Sequence, residues 1–561
     1  MSWKEFNQIS HFLCDYIEKY AQEKKEDIAI IDAEEGKKVS WSEFLNAIDS
    51  FALKLMDLNI KKGDIIISSL PLLLEHIFLE YACFKIGAIF CPLDLRLKPA
   101  EIITSINLLK TKAKMYVHLG DTAHAPFAKY AKLVQKECKF LNNFIQFSLP
   151  ENCNKNTISI FDFISDAKSM ASKYFNINES SEKKKILAER KLTLTEDDPI
   201  LIIYTTGTTG MPKPAMLTNK SIIAQNLCLS RGFDFRSNDR MLINLPPSHV
   251  GCQTEQLMTT FFIGGTAVIL HLFNAEKSLQ AIEDYKVTIL GQIPAMFEME
   301  WMLDNYNNYD LSSLSFAIYG GQSVSRPFLE KLAKMAPRFG SGLGLTEISG
   351  FCSYTPLEGS VNDILNSLGH DFPICPLSIR KPMKSDGMAG SQLPDGEIGE
   401  ICYSGPQVFK GYFDNDEATK KTISKDGILY TGDLGFKDEK GLHLVGRSKF
   451  VIKTRGYQIY PPEIEAFLEE IPEVEKVAIV GAKHKIYTEA AVAFVQLKKG
   501  KKISKEKIME YTKNIAAYKR PSLIIFIDEI PLNRVQKTDY KTLLENVDKY
   551  IRDAREKGEW D

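Results

Sequence analysis

Threonines, glycines and one lysine are concentrated in a short segment that directly follows an apolar run. The run ILIIY at residues 200–204 predicts a buried strand, and the segment TTGTTGMPK follows it. Glycines let backbone N–H groups approach an anion, threonine hydroxyls donate hydrogen bonds, and lysine supplies positive charge. This combination favours binding of a polyphosphate. The candidate residues are Thr205, Thr206, Gly207, Thr208, Thr209, Gly210 and Lys213.

The segment is not a Walker loop. The GK[ST] ending is absent, and Pro212 would obstruct a helix that had already begun before it. Taken alone, a loop rich in glycine and threonine is more often a plain turn. The polyphosphate interpretation therefore depends on what the rest of the chain carries.

Further motifs follow this loop along the chain. They are YGGQ at 319–322, GLGLTE at 342–347, GEIGEICYSGPQVFKGY at 396–412, YTGDLG at 430–435, GRSKFVIKTRGYQIYPPEIE at 446–465 and PLNRVQK at 531–537. With YTTGTTGMPK, they resemble in sequence and order the signatures of the adenylate-forming superfamily, which contains acyl-CoA synthetases, firefly luciferase and peptide-synthetase adenylation domains. The resemblance covers essentially the whole chain from about residue 30. An ordered set of motifs is far more specific than any one of them.

The resemblance implies an enzyme that activates a carboxylic acid with ATP. The carboxylate would attack the α-phosphate, pyrophosphate would leave, and the acyl group would pass from the adenylate to the thiol of coenzyme A. Cations and hydrogen-bond donors must offset the charge that develops. Residues 205–213 would hold the β- and γ-phosphates, Thr346 would donate to the α-phosphate, and Glu347 would bind Mg²⁺.

The same resemblance assigns the nucleoside contacts. Asp433 is similar to the aspartate that accepts hydrogen bonds from both ribose hydroxyls, and Arg447 to its partner on the ribose side. Gly320, Gly321 and Gln322 match the segment that lines the adenine. In the motif GLGLTE, Leu343 would give the adenine an apolar wall, and the nucleotide-binding residues expected there are Gly342, Leu343, Gly344 and Leu345.

Three further positions are expected to act during the two half-reactions. Lys537 matches the lysine that bridges the carboxylate oxygen and the α-phosphate during adenylation. His249 resembles a residue at the mouth of the acyl channel, and a core histidine with satisfied hydrogen bonds is the rival interpretation. Lys449 lies at the expected hinge, where rotation would remove Lys537 and bring Arg455 and Gly456 to a tunnel for pantetheine.

Four positions depart from the family pattern. Pro214 replaces a glycine after the loop lysine, and Leu343 replaces an aromatic residue beside the adenine. Phe450 stands where an acidic residue often follows the hinge, and Gln536 replaces the glycine before Lys537. None of the four removes a charged catalytic group. Slow activity is therefore expected rather than none.

The elements that position these residues follow from hydrophobic patterning. Strand, helix and strand alternate over residues 63–95 and again over 199–321, which predicts a parallel α/β sheet. Short strands with glycine-rich turns begin at Gly390, whereas the polar stretch 146–195 predicts a surface excursion. The predicted fold is a large multi-layer α/β N-terminal domain with a β-rich subdomain, residues 1–446, followed by a small mobile α+β domain, residues 447–561, with the hinge near Lys449.

Composition limits the partners. The 561 residues carry a formal net charge of -2, which gives no basic field for nucleic acid, so small-molecule partners are expected. The ten cysteines show no zinc or dithiol spacing and predict free thiols in a reducing compartment. With no signal-peptide core and no apolar run of about 18 residues, we expect a cytoplasmic monomer or homodimer, with peripheral membrane contact left open.

Several alternatives stay open. The acyl acceptor could be an acyl carrier protein, and luciferase-like oxidation is a remote option. The chain could also be an inactive nucleotide-binding relative or, less consistently with its motifs, a general ATPase switch. An amino acid substrate is disfavoured because the segment LPPSHVGCQTEQL contains Glu255 but no aspartate. The residues of this segment, which includes His249, and of GLGLTEISG, which includes Gly344, are mostly small or apolar. They instead predict a medium- or long-chain fatty acid or an aromatic acid, with branched and dicarboxylic acids left open.

Overall fold

The computed structural model describes residues 2–165, 180–206, 212–454, 457–484, 488–533 and 537–560. The chain divides into two compact units, Met1–Leu377 with Tyr403–Leu429, and Ser378–Cys402 with Tyr430–Asp561. The second unit thus includes residues 378–402 and 430–446, which the sequence interpretation assigned to the large domain. The domain boundary at residue 446 and the hinge at Lys449 stay predictions.

The first unit contains a mainly parallel sheet of seven strands. Only its last pair is antiparallel. In spatial order the strands are Arg338–Gly340, Phe316–Tyr319, Ile289–Gln292, Arg240–Ile243, Thr266–Ile269, Ile28–Asp32 and Lys37–Ser40. The side chains of Leu242, Val268 and Leu290 are completely buried in the core beside this sheet, as expected where helices cover a parallel sheet.

A second sheet of the first unit has eight strands. Their order is Gly411–Tyr412, Pro212–Thr218, Pro199–Thr206, Ile89–Pro92, Ile65–Ser69, Ala113–Leu119, Asn143–Phe147 and Ile158–Ser159. The first two pairs are antiparallel and the others are parallel. The α/β alternation predicted over residues 63–95 is therefore confirmed.

Local sequence signals begin and end the helices of the first unit. Ser40 and Glu43 form a capping box at the start of Trp41–Asp57, and Leu74–Ile86 ends at Gly87, whose φ of 74° suits glycine. The other helices are Trp3–Phe6, Leu13–Glu23, Pro99–Asn107, Phe127–Glu137, Ser180–Lys191, Asn219–Gly232, Gly251–Met258 (a π-helix), Thr259–Ile263, Ala275–Tyr285, Pro294–Trp301, Arg326–Met335, Val361–Asn366 and Asp416–Thr422.

The second unit contains two sheets. One consists of Leu377–Arg380, Gly399–Tyr403, Leu429–Asp438 and Gly441–Arg447, and the other of Tyr457–Ile459, Ile452–Thr454, Thr488–Leu497, Val474–His484 and Leu523–Phe526. Its helices are Pro461–Glu469, Lys505–Tyr511 and Tyr540–Glu556. Leu543, Val547 and Ile551, spaced four residues apart on the last helix, share a buried cluster with Val480 and Val492 of the second sheet.

Part of the stretch 146–195 is core, so its prediction as a surface excursion is wrong there. The side chains of Ile160, Phe163 and Leu187 are buried. The Phe163 ring packs edge-on against Phe51, with 5.1 Å between ring centroids. The surrounding polar residues lowered the average hydrophobicity and hid these apolar positions. Among the described residues, no helix is both long and apolar enough to cross a membrane.

The burial of Phe163 can be tested by truncation. Phe163→Ala should lower the free energy of unfolding by about 3–5 kcal/mol, because it removes a buried ring and leaves a cavity. The control is Phe161→Ala, since Phe161 is 53% exposed. Urea denaturation followed by fluorescence would compare the two variants. Equal losses of stability would contradict the assignment of Phe163 to the core.

Candidate functional site

The described ends of the predicted phosphate loop belong to an antiparallel hairpin. Strand Pro199–Thr206 pairs with Pro212–Thr218, so that Thr205 lies opposite Lys213 and Tyr204 opposite Pro214. The carbonyl of Pro214 accepts a hydrogen bond from the Phe413 N–H at 2.8 Å. A second strand, and not a helix, therefore follows the loop, and Pro214 is accommodated within it.

Tyr412 joins the loop lysine to the predicted magnesium ligand. Its hydroxyl donates to Oε1 of Glu347 at 2.7 Å, and Nζ of Lys213 lies 5.1 Å from the centre of its ring. Burial and the Glu347 carboxylate raise the pKa of Tyr412, whereas its interactions with Thr422 and Thr205 lower it. Sequence reasoning missed Tyr412. The signal was available, because Tyr412 ends the motif GEIGEICYSGPQVFKGY.

The predicted residues Thr346 and Glu347 lie in a tight turn. Gly344–Leu345 pairs antiparallel with Gly350–Phe351, and a 3-10 turn over Thr346–Ile348 connects the two strands. The Glu347 carbonyl also accepts a hydrogen bond from the Phe409 N–H at 3.1 Å. Both the backbone and the side chain of Glu347 are therefore fixed by the segment that contains Tyr412.

The predicted adenine residues end one strand and begin this turn. Strand Phe316–Tyr319 leads directly into Gly320, Gly321 and Gln322, with φ of 92° at Gly321. A Cβ on Gly342 would lie 1.9 Å from the Ser353 carbonyl oxygen, so no side chain fits there.

Leu343, which follows Gly342, is only 9% exposed. Its N–H donates to Oγ of Ser353 at 2.9 Å, and its carbonyl accepts from the Cys352 N–H at 2.8 Å. The backbone that leads to Gly344 and Leu345 is thereby fixed to the neighbouring segment.

His249 precedes the π-helix Gly251–Met258 and lies near Asp94. Burial acts to raise the pKa of Asp94, but hydrogen bonds from Arg96 and the charge of His249 leave it lowered. The His249 carbonyl accepts a hydrogen bond from the Gln253 N–H at 3.1 Å, which is part of the start of this helix. His249 is thus placed at the junction of a loop and a helix in the first unit.

The surroundings of Gly344 are less apolar than the sequence predicted. A Cβ on Gly344 would lie 3.2 Å from Oε1 of Glu255, which belongs to the π-helix. Burial raises the pKa of Glu255 to about 8. The sequence predicts mostly small or apolar side chains near Gly344, and the Glu255 carboxyl is a polar exception at this position, because sequence alone did not indicate which side of the π-helix faces Gly344.

In the second unit, Asp433 and Arg447 lie directly opposite each other on neighbouring strands. The Arg447 Nε–H donates to Oδ1 of Asp433 at 2.7 Å, and Asp433 is only 4% exposed. The N–H of Gly432 donates to Glu400 Oε1 at 3.0 Å, and the carbonyl of Gly432 accepts from Ser448 Oγ at 3.1 Å. The predicted ribose pair is thus held in a well-bonded turn.

Lys449 and Lys537 also lie near this pair. Desolvation and then the charge of Arg447 lower the pKa of Lys449 to about 8, while Asp433 opposes the shift. The same causes in the same order lower the pKa of Lys537, although the residue as a whole is exposed. The structure therefore groups cationic side chains around one carboxylate.

Local bonds hold the two lysines of this group. The Lys537 N–H donates to Oδ1 of Asn533 at 3.1 Å, and its carbonyl accepts from the Asn533 N–H at 2.7 Å. Nζ of Lys449 lies 4.4 Å from the centre of the Phe450 ring, which packs on Tyr540 at 4.9 Å between centroids. The aromatic residue after the expected hinge therefore packs against Lys449 and the C-terminal helix.

Several predicted positions lie outside the described residues. They are Gly207, Thr208, Thr209, Gly210, Arg455, Gly456 and Gln536. Thr206 is described as the end of a strand, without its side chain. The predicted site residues that the structure does describe include those at the ends of the phosphate loop, in the Thr346–Ile348 turn and around Asp433.

Comparison with known proteins identifies similar sequences along the chain. The family model for AMP-binding enzyme matches residues 17–413, and the model for the AMP-binding enzyme C-terminal domain matches 463–537. A 4-coumarate–CoA ligase, CCL1 of Humulus lupulus, is 30% identical over 525 residues, which cover 91% of this chain and 89% of that protein. The peroxisomal OPC-8:0-CoA ligase 1 of Arabidopsis thaliana is 27% identical over 527 residues, which cover 92% and 90%.

Solved structures share the fold. ATP-bound MatB from Rhodopseudomonas palustris superposes with a TM-score of 0.77 at 24% identity, covering 93% of this chain and 96% of that one. The anthranilate CoA ligase AuaEII, in complex with anthranoyl-AMP, gives a TM-score of 0.78 at 19% identity, covering 96% and 98%. The predicted α/β fold with a large N-terminal and a smaller C-terminal part is confirmed by these similarities.

Proposed function

We propose that this chain, which belongs to the AMP-binding enzyme family, converts a carboxylic acid larger than acetate to its acyl-adenylate and then to its coenzyme A thioester. Family membership, together with the curated relatives that are named as CoA ligases, makes it an AMP-forming CoA ligase. The observation that carries the proposal is the contact of Tyr412 with both Glu347 and Lys213. It holds a carboxylate and a cation together in the first unit, as binding of a magnesium–triphosphate requires.

In the first half-reaction a carboxylate oxygen of the acid forms a bond to the α-phosphorus of ATP. The bond from that phosphorus to the bridging oxygen breaks, and pyrophosphate leaves with the electron pair. Lys213 and the donors of the loop hold the β- and γ-phosphates, and Thr346 donates to the α-phosphate. Both substrates are anionic, so these groups must reduce the repulsion between them.

Glu347 fits a magnesium ligand. A carboxylate oxygen is a ligand that Mg²⁺ prefers, and the Tyr412 hydroxyl orients this carboxylate from outside the metal shell. Mg²⁺ bound there would offset the negative charge of the triphosphate and of the leaving pyrophosphate. Asp433 of the second unit accepts from the ribose hydroxyls, with Arg447 holding its carboxylate in place.

In the second half-reaction the thiol of coenzyme A attacks the acyl carbonyl carbon. A carbon–sulfur bond forms, the carbon–oxygen bond to AMP breaks, and the thiol proton is released. We assign Lys537 to the first half-reaction. We assign the segment at Lys449 to a rotation that takes place between the first and the second half-reaction. Arg455 and Gly456 would then line the path of the pantetheine.

The size of the acid follows from Gly344. Because glycine has no side chain that could close the acyl channel, we expect acids longer than acetate to be accepted. Each further methylene that is buried contributes about 0.8 kcal/mol to binding. Fatty acids and aromatic acids both meet this requirement.

A panel of acids tests the function. Pyrophosphate release should depend on added acid and should be faster with hexanoate, decanoate or benzoate than with acetate. Thioester formation should then require free coenzyme A. Pyrophosphate release that needs no acid would indicate an ATPase. Transfer of the acyl group to an acyl carrier protein but not to coenzyme A would identify the carrier protein as the acceptor. No turnover with any acid would favour the inactive nucleotide-binding relative.

The role of Lys537 separates the two half-reactions. Lys537→Ala should reduce acid-dependent ATP–pyrophosphate exchange by about 10²–10³-fold, because it removes a cation that stabilises the transition state. Conversion of supplied acyl-adenylate and coenzyme A to thioester should continue. Lys541→Ala provides the matched control, since Lys541 begins the next helix and pairs only loosely with Glu545 at 3.7 Å. Equal loss of both half-reactions would contradict the assignment of Lys537 to the first half-reaction alone.

The role of Tyr412 is tested through the metal. Tyr412→Phe keeps the ring beside Lys213 but removes the hydroxyl that orients Glu347. The Mg²⁺ concentration for half-maximal exchange should rise about 10-fold, in line with other substitutions next to metal ligands. Tyr403→Phe removes a different buried hydroxyl of the same unit and should leave the Mg²⁺ dependence unchanged. An unaltered dependence in Tyr412→Phe would show that this hydrogen bond does not position the metal ligand.

A further inference from the structure

Glu255 and Gln225 meet at two glycines of the first unit. A Cβ on Gly350 would lie 2.9 Å from Nε2 of Gln225 and 3.0 Å from Cγ of Glu255. A Cβ on Gly344 would lie 3.2 Å from Oε1 of Glu255, and Gly344 is itself exposed. The carboxyl and the amide therefore pack against these two glycines, and the carboxyl lies beside the exposed backbone of Gly344.

Both side chains have unused hydrogen-bonding capacity. Gln225 is completely buried, and its Oε1 accepts from Asn226 Nδ2 at 2.8 Å, but its Nε2 has no partner among the described residues. Glu255 retains part of its accessible surface, and within the described chain no charge or hydrogen bond offsets the desolvation that raises its pKa to about 8. At neutral pH this carboxyl is largely protonated and can donate. Buried donors without a partner are destabilising and rare.

Hydrogen bonds fix these two groups relative to the Thr346–Ile348 turn. Asn226 Nδ2, beside Gln225, donates to the Thr254 carbonyl at 2.7 Å. Thr254 Oγ1, beside Glu255, donates to the Ser349 carbonyl at 2.7 Å. Glu255 also belongs to a π-helix, a rare conformation that is frequent at functional sites. The positions of Glu255 and Gln225 beside this turn are therefore fixed independently of any ligand.

We propose that Glu255 and Gln225 select an acid that carries an uncharged hydroxyl or carbonyl group on its acyl part. The inference rests on the proposed function, because it concerns the acid that the same site activates. The oxygen of such a group accepts from Nε2 of Gln225 and from the protonated carboxyl of Glu255, and a hydroxyl can also donate to the other carboxyl oxygen. The Gln225 amide and the Glu255 carboxyl then both have a hydrogen-bond partner.

Acids with a purely apolar tail and acids with an ammonium group match Glu255 and Gln225 less well. A purely apolar tail would exclude water and leave the amide N–H and the carboxyl without partners. An ammonium group could pair with ionised Glu255, but it has no lone pair to accept from Nε2 of Gln225. Gln225 therefore distinguishes a neutral oxygen from a cation.

Pairs of acids that differ by one group provide the test. Cinnamate would be compared with 2-, 3- and 4-hydroxycinnamate, and hexanoate with 6-hydroxyhexanoate and 6-aminohexanoate, by kcat/KM for pyrophosphate release. In at least one pair the hydroxylated acid should be favoured about 10-fold or more. Glu255→Leu should abolish that preference, whereas Glu255→Gln, which keeps a donor and an acceptor, should retain most of it. Gln225→Met removes the amide donor at similar length and provides a second test.

Each other outcome has its own meaning. Wild-type ratios near one in every pair, or a wild-type ratio that persists in Glu255→Leu and Gln225→Met, would overturn the inference while leaving the proposed function intact. Preference for 6-aminohexanoate would identify Glu255 as the partner of a cation and would also overturn it. No pyrophosphate release with any acid would overturn the proposed function itself, and this inference with it.

Discussion

The arrangement of the first unit depends on the contact of Tyr412 with Lys213 and Glu347. The ring lies beside the ammonium and the hydroxyl bonds the carboxylate, so opposite charges are held in one region while no ion pair joins them among the described residues. Each charge thus stays available to a ligand of opposite sign. A direct salt bridge between them would have satisfied both groups and left little affinity for a magnesium–triphosphate.

This contact depends on pairing between distant parts of the chain. Strand Gly411–Tyr412 adds to the edge of Pro212–Thr218, with Tyr412 opposite Ala215. The Phe409 N–H fixes the Glu347 backbone in the same region. Sequence motifs identified each segment, but no local pattern specifies that the last tyrosine of one motif bonds the glutamate of another. Tyr412 was missed for that reason.

Where the constraint is local, sequence reasoning was sufficient. The α/β alternation over residues 63–95 was predicted, because each strand and helix has its own apolar pattern. The family resemblance predicted that Asp433 and Arg447 act together. The two residues lie opposite each other because of the register of the two strands that carry them. The stretch that contains Phe163 was misread as surface, and the approach of Glu255 to Gly344 was not predicted, for the opposite reason. Whether an isolated side chain points toward the core, or toward one glycine, depends on packing that a composition average does not contain.

The hydrogen bond from Thr254 to the Ser349 carbonyl connects the π-helix that contains Glu255 to the turn that carries Thr346 and Glu347. An acid that shifts this helix on binding must also shift the turn, or break the bond. Acid and nucleotide are then thermodynamically linked: whatever factor the acid contributes to nucleotide affinity, the nucleotide contributes equally to acid affinity. An acid that strengthens ATP binding by a given factor is itself bound more tightly, by the same factor, when ATP is present, and an acid that weakens ATP binding is bound correspondingly less tightly.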